Sequence, residues 1–354
     1  MKESAYVLIL LLILCFIIPA LPLVTAAEEG YWTTLEPMPT ARGFLRVGVV
    51  DGKMYAISSS YNGANEEYDP VLDEWKTKDN MPNPNPEVAI AVCQGKIYCM
   101  GGMPIGFIGA SDANKVYDPK IDSWETKAAM PTPRYDMQAQ GVGEKIYVIG
   151  GRTLLGYEQG SKELDVNEVY DPATDTWTTA APLPIIGCYV SAVVDGKIFV
   201  IGNTTQIYDP QTDTWSTAAP PLTELVLDIN GDFAKAAATS GTFAPKRIYV
   251  YAGATVQIYD PQTNSWTYGS PPPTIRHGLG IGVVDDRLYF IGGFTGLSPF
   301  EVYTEYATNE KYTPSGYIPE FPSWTLLLTT MVAGVAAVFF FRDVLKKKRR
   351  FDGF

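Results

Sequence analysis

A short pattern returns five times along this chain of 354 residues, and it limits the fold more than any other feature. The triplet Tyr-Asp-Pro is followed each time by a tryptophan seven residues after the tyrosine. The tyrosines are Tyr68, Tyr117, Tyr170, Tyr208 and Tyr259, and the tryptophans are Trp75, Trp124, Trp177, Trp215 and Trp266. A fixed offset that recurs in this way indicates a structural repeat whose copies must pack against one another.

A β-hairpin is predicted upstream of each triplet, as an apolar run, a tight turn, a basic residue and an aromatic residue. The six copies reach their aromatic residues at Tyr55, Tyr98, Tyr147, Phe199, Tyr249 and Tyr289. The turn residues Asp51-Gly52 and Asp195-Gly196 favour the type I′ turn of a two-residue hairpin. Each repeat therefore predicts four strands, in the third repeat about 137–142, 145–150, 168–170 and 176–179.

The six hairpins are followed by only five outer strands, so one outer strand has to be found elsewhere. The segment that begins Tyr31-Trp32 has the pattern of the outer strand at Trp124. The last repeat, about 276–306, has no tryptophan strand after it. We therefore expect Trp32 to complete the last repeat, which would close a ring of six four-stranded blades and protect the sheet edges.

These motifs resemble the Kelch repeats of galactose oxidase and Kelch-like propellers. The matching pieces are the hairpin at 50–55, Ile149-Gly150-Gly151, the segment 169–172 and Trp177. The resemblance covers about residues 30–306 and implies an all-β, six-bladed Kelch-type β-propeller. The chain departs from the pattern where Ser58-Ser59, Gly202-Asn203 and Ala252-Gly253 replace the glycine pair, which puts the local loops in doubt but not the blade count.

Both ends of the sequence have the composition of targeting segments. Residues 1–27 contain an apolar run followed by small residues, which predicts a secretory signal peptide, with an uncleaved anchor as the alternative. Residues 28–306 form the predicted propeller, 307–320 a linker and 321–341 an uncharged stretch long enough for a transmembrane helix. The basic segment 342–354 should then stay in the cytoplasm. This organisation predicts a single-pass cell-membrane protein with its propeller outside the cell.

The segment around Pro319-Glu320-Phe321 resembles the Pro-Glu-Phe sorting tails of archaeal surface proteins. That resemblance implies processing by a membrane sorting enzyme, and a retained transmembrane helix is the alternative.

Charge and residue counts exclude several functions. Segment 28–341 has 20 basic and 36 acidic residues, so it lacks the basic footprint of a nucleic-acid-binding protein. The chain has one histidine, His277, whereas the copper oxidases of the Kelch family need two histidine ligands. The oxygen-rich segment 228–232 lacks the later glutamate of a calcium loop. We predict no catalytic residues, no metal site and no cofactor. We expect Cys93, Cys99 and Cys188 to be buried, unpaired thiols, with Cys93 and Cys99 on opposite faces of a sheet.

A ligand-binding face is predicted where the inter-blade linkers and the connections between second and third strands meet. The linkers contain Arg42, Arg134 and Arg276, each after Pro-Thr-x. The predicted rim of this face consists of Phe107, Arg152, Tyr157 and Phe294. These groups suit an anionic or sugar ligand. The alternative is that the arginines cap strand ends and pair with the many acidic residues.

Three functions fit these observations. The first is a non-catalytic module that binds a protein or a glycan outside the cell. The second is a carbohydrate-active enzyme such as an isomerase of the sialic-acid-processing Kelch type, which would work with arginine and carboxylate groups. The third is an architectural component of the cell envelope. Because one fold serves many functions, the choice depends on the site.

Overall fold

The computed structural model describes residues 30–58, 62–104, 109–154, 160–223, 234–295 and 304–318. Six four-stranded antiparallel sheets contain almost half of these residues. The innermost strands of successive sheets contact one another, and the innermost strand of the sixth sheet contacts that of the first. The predicted six-bladed ring is therefore confirmed.

The first three blades follow the chain in order. Blade one consists of β2 (Leu45–Val50), β3 (Lys53–Ser58), β4 (Asn65–Asp69) and β5 (Glu74–Lys78). Blade two consists of β6 (Ala89–Cys93), β7 (Lys96–Met100), β8 (Asn114–Asp118) and β9 (Ser123–Thr126). Blade three consists of β10 (Gln138–Val142), β11 (Lys145–Ile149), β14 (Asn167–Asp171) and β15 (Thr176–Thr179).

The last three blades repeat this plan. Blade four consists of β16 (Cys188–Val194), β17 (Lys197–Gly202), β18 (Thr205–Asp209) and β19 (Thr214–Ala218). Blade five consists of β20 (Ala234–Ala238), β21 (Ile248–Ala252), β22 (Thr255–Asp260) and β23 (Ser265–Tyr268). Blade six consists of β24 (Gly280–Val284), β25 (Arg287–Ile291), β28 (Asn309–Thr313) and β1 (Tyr31–Thr34).

The N-terminal strand closes the ring as the repeat count predicts. Strand β1 pairs antiparallel with β28, and Trp32 lies opposite Tyr312. The indole of Trp32 packs against Phe290 and Tyr312 at ring-centroid distances of 4.7 and 5.0 Å. Blade six is thus built from both ends of the propeller sequence.

One predicted boundary is wrong. The sequence interpretation ended the propeller at residue 306 and assigned 307–320 to a linker, but β28 (Asn309–Thr313) is the third strand of blade six. The reason is that this copy lacks Tyr-Asp-Pro, since Thr313 follows Tyr312 where the other copies have aspartate. The Asn-Glu-x-Tyr pattern, shared with Asn65 and Asn167, was the signal that identifies the strand.

The repeated tyrosine, aspartate and tryptophan join neighbouring blades. In blade three the Tyr170 hydroxyl donates to Asp175 at 2.6 Å, and the same carboxylate accepts the backbone N–H of Ala128 from the preceding blade at 2.8 Å. The Trp177 indole donates to the Ala128 carbonyl at 2.9 Å. The equivalent bonds join Tyr68, Tyr117, Tyr208 and Tyr259 to Asp73, Asp122, Asp213 and Asn264. These residues are structural, as predicted.

The aspartate of each Tyr-Asp-Pro caps the turn that follows it. Asp118 accepts the backbone N–H of Lys120 at 3.0 Å, and Asp171 accepts that of Ala173 at 3.0 Å. Four residues after this aspartate the chain takes a left-handed conformation, as at Asp175 with φ of 53°. Aspartate and asparagine tolerate that conformation better than most residues, which explains why they recur there.

Cys93 and Cys99 are free and buried, as predicted. Cys93 packs with the blade-three residues Ala139 and Ile146, whereas Cys99 packs with the blade-one residue Ile57. The two thiols therefore lie on opposite faces of blade two. Among the residues described, no helix is long and apolar enough to cross a membrane. The predicted signal peptide, transmembrane helix and basic tail lie outside those residues.

Candidate functional site

Antiparallel strands divide the connections of every blade between two ends. We call the end that holds the inter-blade linkers and the second-to-third-strand connections the linker side, and the opposite end, with its tight turns, the turn side. Two short hairpins extend the connections on the linker side, in blade three as β12 (Arg152–Leu154) with β13 (Ser161–Glu163) and in blade six as β26 (Phe294–Thr295) with β27 (Thr304–Glu305). These blades are three positions apart in the ring of six, so the hairpins face each other across its centre.

The three linker arginines are buried, with exposed fractions of 3% for Arg42, 0% for Arg134 and 1% for Arg276. Each is paired with a glutamate on the third strand of its blade. Arg42 contacts Glu66 at 2.5 Å, Arg276 contacts Glu310 at 2.7 Å, and Arg134 is paired with Glu168 in the same way. The prediction that these arginines present a ligand-binding face is therefore corrected, and the alternative interpretation describes them.

Each pair is completed by the threonine of the Pro-Thr-x-Arg motif. Thr132 donates to one carboxylate oxygen of Glu168 at 2.6 Å, while Arg134 binds the other oxygen and also donates to the Val148 carbonyl at 2.9 Å. Thr40 and Thr274 bind Glu66 and Glu310 similarly, at 2.8 and 2.7 Å. For Arg42, burial lowers the pKa of the guanidinium, although the charge of Glu66 acts to raise it. The motif ties a linker to its blade.

The other three blades use different chemistry at the glutamate position. Gln206 accepts the Ile185 N–H at 2.9 Å and donates to the Ile185 carbonyl at 2.8 Å. Gln257 accepts the Leu222 N–H at 2.9 Å. In blade two Lys115 donates to the Asn83 carbonyl, and burial lowers the pKa of this lysine. In these three blades a side-chain amide or amine binds uncharged backbone groups of the linker. Since no glutamate carboxylate occupies this position, no arginine is needed there to neutralise it.

Two of the predicted rim residues, Arg152 and Phe294, are among the described residues, and of these Arg152 lines the central cavity. Its side chain is 27% exposed and contacts Glu163 at 3.4 Å and Asp136 at 3.9 Å. Its backbone also pairs with that of Tyr135 in the linker. Arg152 therefore joins the blade-three hairpin to the linker beside it.

Phe294 is 1% exposed, so its predicted place on the rim is wrong. Its ring lies 4.6 Å from Phe44 and 6.2 Å from the imidazole of His277, and its backbone pairs with His277. Gly43 and Gly278 leave room for this ring, since a Cβ at either glycine would come within 2.6 Å of it. Phe107 and Tyr157, the remaining predicted rim residues, lie outside the described residues.

The centre of the ring encloses a cavity of about 420 Å³. All six innermost strands contribute to its wall, which has both apolar and polar residues. Among the described residues, the charged ones that line the wall are Arg46, Asp136, Arg152, Glu163 and Lys235.

A second surface that the sequence interpretation missed lies on the linker side of blades four to six. Ile185, Ile186, Leu222 and Ile275 are 46, 51, 47 and 51% exposed, on the linkers that enter three consecutive blades. Residues 182–187, 203–204, 219–223, 253–254 and 269–275 of the linker-side loops of these blades contain no charged residue, whereas the blade-six hairpin presents the exposed Glu305. We call Ile185, Ile186, Leu222 and Ile275 the apolar arc. In the sequence its signal was an isoleucine or leucine directly after proline in the linkers to blades four and five, at Ile185 and Leu222, and an isoleucine at the x position of Pro-Thr-x-Arg before Arg276.

No group of three or more histidine, cysteine, aspartate or glutamate side chains in the described part of the chain is arranged to hold a metal ion.

Comparison with known proteins identifies the repeat. Two adjoining segments, residues 84–131 and 133–184, match the Kelch motif, and they correspond to blades two and three with their linkers. The chain is 36% identical over 85 residues to the Kelch-like protein terF of Aspergillus terreus, covering 21% of this chain and 18% of that protein. It is 30% identical over 162 residues to human Kelch repeat and BTB domain-containing protein 12, covering 38% of this chain and 26% of that protein.

The matched segments thus span about a quarter or less of these relatives. The solved structure of YjhT is similar with a TM-score of 0.60 and 14% identity, covering 77% of this chain and 99% of that one, which establishes similarity of fold. The chain thus contains two Kelch motifs, is similar over part of its length to Kelch-like proteins, and has the fold of a six-bladed propeller.

Proposed function

We propose that this protein is a membrane-anchored, cell-surface binding module that holds a partner protein on the linker side of its propeller, without catalysis. The observation that carries the proposal is the apolar arc. Exposed isoleucine and leucine side chains on three consecutive linkers, whose described residues next to them carry no charge, are typical of a protein interaction surface.

The linkers that carry the apolar arc are held in fixed conformations, and this supports the same function. Prolines 182, 184, 220, 221 and 271–273 stand in these linkers. Gln206 and Gln257 fix the backbone beside two residues of the arc, Ile185 and Leu222. A preordered surface loses little conformational entropy when it binds, which favours affinity. The apolar and uncharged character of the arc favours an apolar protein surface over a glycan as the partner.

The membrane anchor is proposed from residues 1–27 and 321–341. The topology of the propeller is compatible with it. Thr313 ends β28 directly opposite Tyr31 at the start of β1, so both ends of the propeller leave blade six together, on the turn side.

The test is a pulldown of envelope proteins with the full-length chain and matched variants. We expect Ile186→Glu combined with Ile275→Glu to abolish capture of a partner, because it places two charges in the apolar arc. The control is Leu72→Glu combined with Ile121→Glu, which charges two residues of the turn side that are 58 and 70% exposed. Capture that survives in the Ile186/Ile275 variant, or that both variants lose equally, would overturn the proposal. Specific binding on a glycan array that the arc variant loses would replace the protein partner with a glycan.

A further inference from the structure

Blade four contains a sequence that fits the acceptor pattern for N-linked glycans. In Asn203-Thr204-Thr205 the asparagine is followed by a residue other than proline and then by threonine. No other asparagine among the 354 residues has serine or threonine two positions later. Because the pattern is short, its meaning depends on where the structure places the two side chains that a glycosyltransferase uses.

The acceptor side chain is accessible in the folded protein. Strand β17 ends at Gly202 and β18 begins at Thr205, so Asn203 and Thr204 form the whole connection between the second and third strands of blade four. The Gly202 N–H donates to the Thr204 carbonyl at 2.9 Å, which closes this tight turn. Asn203 is exposed on the linker side. A group on its amide nitrogen can therefore extend into solvent.

The threonine of the pattern stands where four other blades have asparagine. Each of those asparagines is buried and donates from its amide to a linker carbonyl at 3.1 to 3.3 Å; they are Asn65, Asn114, Asn167 and Asn309. In blade four the equivalent residue is Thr205, with an exposed fraction of 0%. Its hydroxyl has no hydrogen-bond partner among the described residues.

The folded propeller gains nothing from the hydroxyl of Thr205. A buried hydroxyl without a partner destabilises a fold, because it has given up its hydrogen bonds to water. Blade five has Val256 at the equivalent position, 1% exposed, so an apolar side chain of the same shape serves there. The acceptor pattern, in contrast, requires a hydroxyl two residues after the asparagine. Glycosylation therefore accounts for a threonine that the fold does not need.

We propose that Asn203 is the attachment site of an N-linked glycan. The donor is an oligosaccharide joined through its C1 atom to the phosphate of a lipid carrier. The amide nitrogen of Asn203 forms a bond to C1 while the bond between C1 and the phosphate oxygen breaks. The lipid phosphate leaves with the electron pair of that bond, and the amide nitrogen gives up a proton. Transfer precedes the folding of blade four, because pairing of β18 with β17 and β19 buries Thr205.

This inference rests on the exported location in the proposed function and not on the apolar arc. The test is translation of the full-length chain in the presence of microsomes, which import secreted chains and transfer N-linked glycans. Peptide mass spectrometry, before and after treatment with peptide-N-glycosidase, measures the occupancy of Asn203. Asn203→Gln and Thr205→Val should lose the glycan completely, whereas Thr205→Ser should retain it, since serine keeps the hydroxyl.

A stability measurement tests the argument from burial. Thr205→Val and the parent chain, both made without glycans, should unfold at the same temperature, or the variant at a higher one, since valine removes a hydroxyl that has no partner. A clearly lower unfolding temperature for Thr205→Val would show that the fold uses the hydroxyl, and the proposal would lose its basis.

Two controls separate failure of the site from failure of export. Protection of the chain from added protease inside the microsomes reports import. Thr174→Asn, combined with Asn203→Gln, places an asparagine two residues before Thr176 in an exposed turn of blade three and reports whether the transferase can modify this chain. A protected parent chain without a glycan at Asn203, while the Thr174→Asn chain carries one, would overturn the site and leave the exported location standing. A chain that is neither protected nor modified would overturn both.

Discussion

Arg134 and Glu168 form an ion pair that is closed off from solvent, with side-chain exposed fractions of 0 and 3%. Arg134 comes from a linker and Glu168 from the third strand of the same blade, so the pair fixes the path by which the chain enters blade three. Both carboxylate oxygens of Glu168 have a hydrogen-bond partner, because Thr132 binds the oxygen that Arg134 does not. The pair therefore sets the geometry of the linker side while contributing no accessible charge to it.

Removing one member of this ion pair should strongly lower the free energy of unfolding. Arg134→Met should lower the free energy of unfolding by about 3–5 kcal/mol, because it leaves the Glu168 carboxylate buried without its cation. Adding Glu168→Gln should recover part of that loss, since an amide at this position already serves blade four as Gln206. Chemical denaturation measures both variants, with Lys145→Gln as the control. Equal destabilisation by the single and double variants would contradict this account.

The hydrogen bonds that Asp175 makes between blades two and three predict which of two substitutions lowers the free energy of unfolding more. Asp175→Asn should change the free energy of unfolding by less than about 0.5 kcal/mol, because Asn264 makes the same bonds in blade five. Asp175→Ala should cost about 1–2 kcal/mol, because it removes the acceptor for Tyr170 and Ala128 and places alanine at a φ of 53°. Thermal denaturation of the two variants beside the parent protein provides the measurement. Similar losses for asparagine and alanine would show that the carboxylate charge, rather than the hydrogen bonds, matters there.

The same carboxylates predict how acid affects the propeller. Hydrogen bonds from Tyr170 and the Ala128 N–H lower the pKa of Asp175, and the Ala181 N–H and Tyr208 lower that of Asp213. Because the folded-state pKa lies below the unfolded one, the unfolded chain binds more protons in this range. Stability should therefore be fully present above the ordinary aspartate pKa and decline as the pH falls through the lowered values. The double variant Asp175→Asn/Asp213→Asn should show a shallower loss of unfolding temperature below about pH 4.

The six-bladed ring could be predicted from the sequence because each blade repeats the same short motif. Fixed spacing of Tyr-Asp-Pro and tryptophan predicts one blade after another, and the surplus strand at Trp32 predicts the closure. The third strand of blade six was missed because Thr313 replaces the aspartate of the motif. The buried role of Arg42, Arg134 and Arg276 could not be predicted because the glutamates they pair with lie 24 to 34 residues away along the chain. No role is assigned from the sequence to the glutamate of the Asn-Glu-x-Tyr pattern.

Burial predicts that the two described thiols resist alkylation. Burial raises the pKa of Cys99 to about 12 and also raises that of Cys93. At pH 8 few thiolates would form, and thiolate is the species that reacts. Iodoacetamide should therefore leave both peptides unlabelled in the folded protein and label both after denaturation, as measured by peptide mass spectrometry. Rapid labelling of Cys99 in the folded state would show that blades one and two separate.

Closure of the ring by the N-terminal strand predicts that one aromatic residue has an effect beyond its own blade. Trp32 packs on Phe290 and Tyr312 and donates to the Ser270 carbonyl of the blade-five linker at 3.2 Å. Trp32→Ala should lower the free energy of unfolding by about 3 kcal/mol, because it removes a large, half-buried side chain. Trp32→Phe should lose less, since it keeps part of the packing and gives up the hydrogen bond. Hydrogen exchange should then increase in β28 of the alanine variant, and to a smaller extent in β25, since β1 pairs with β28 and covers the outer edge of this sheet. If exchange rose equally in blades two and three, the N-terminal strand would stabilise the whole ring rather than close one blade.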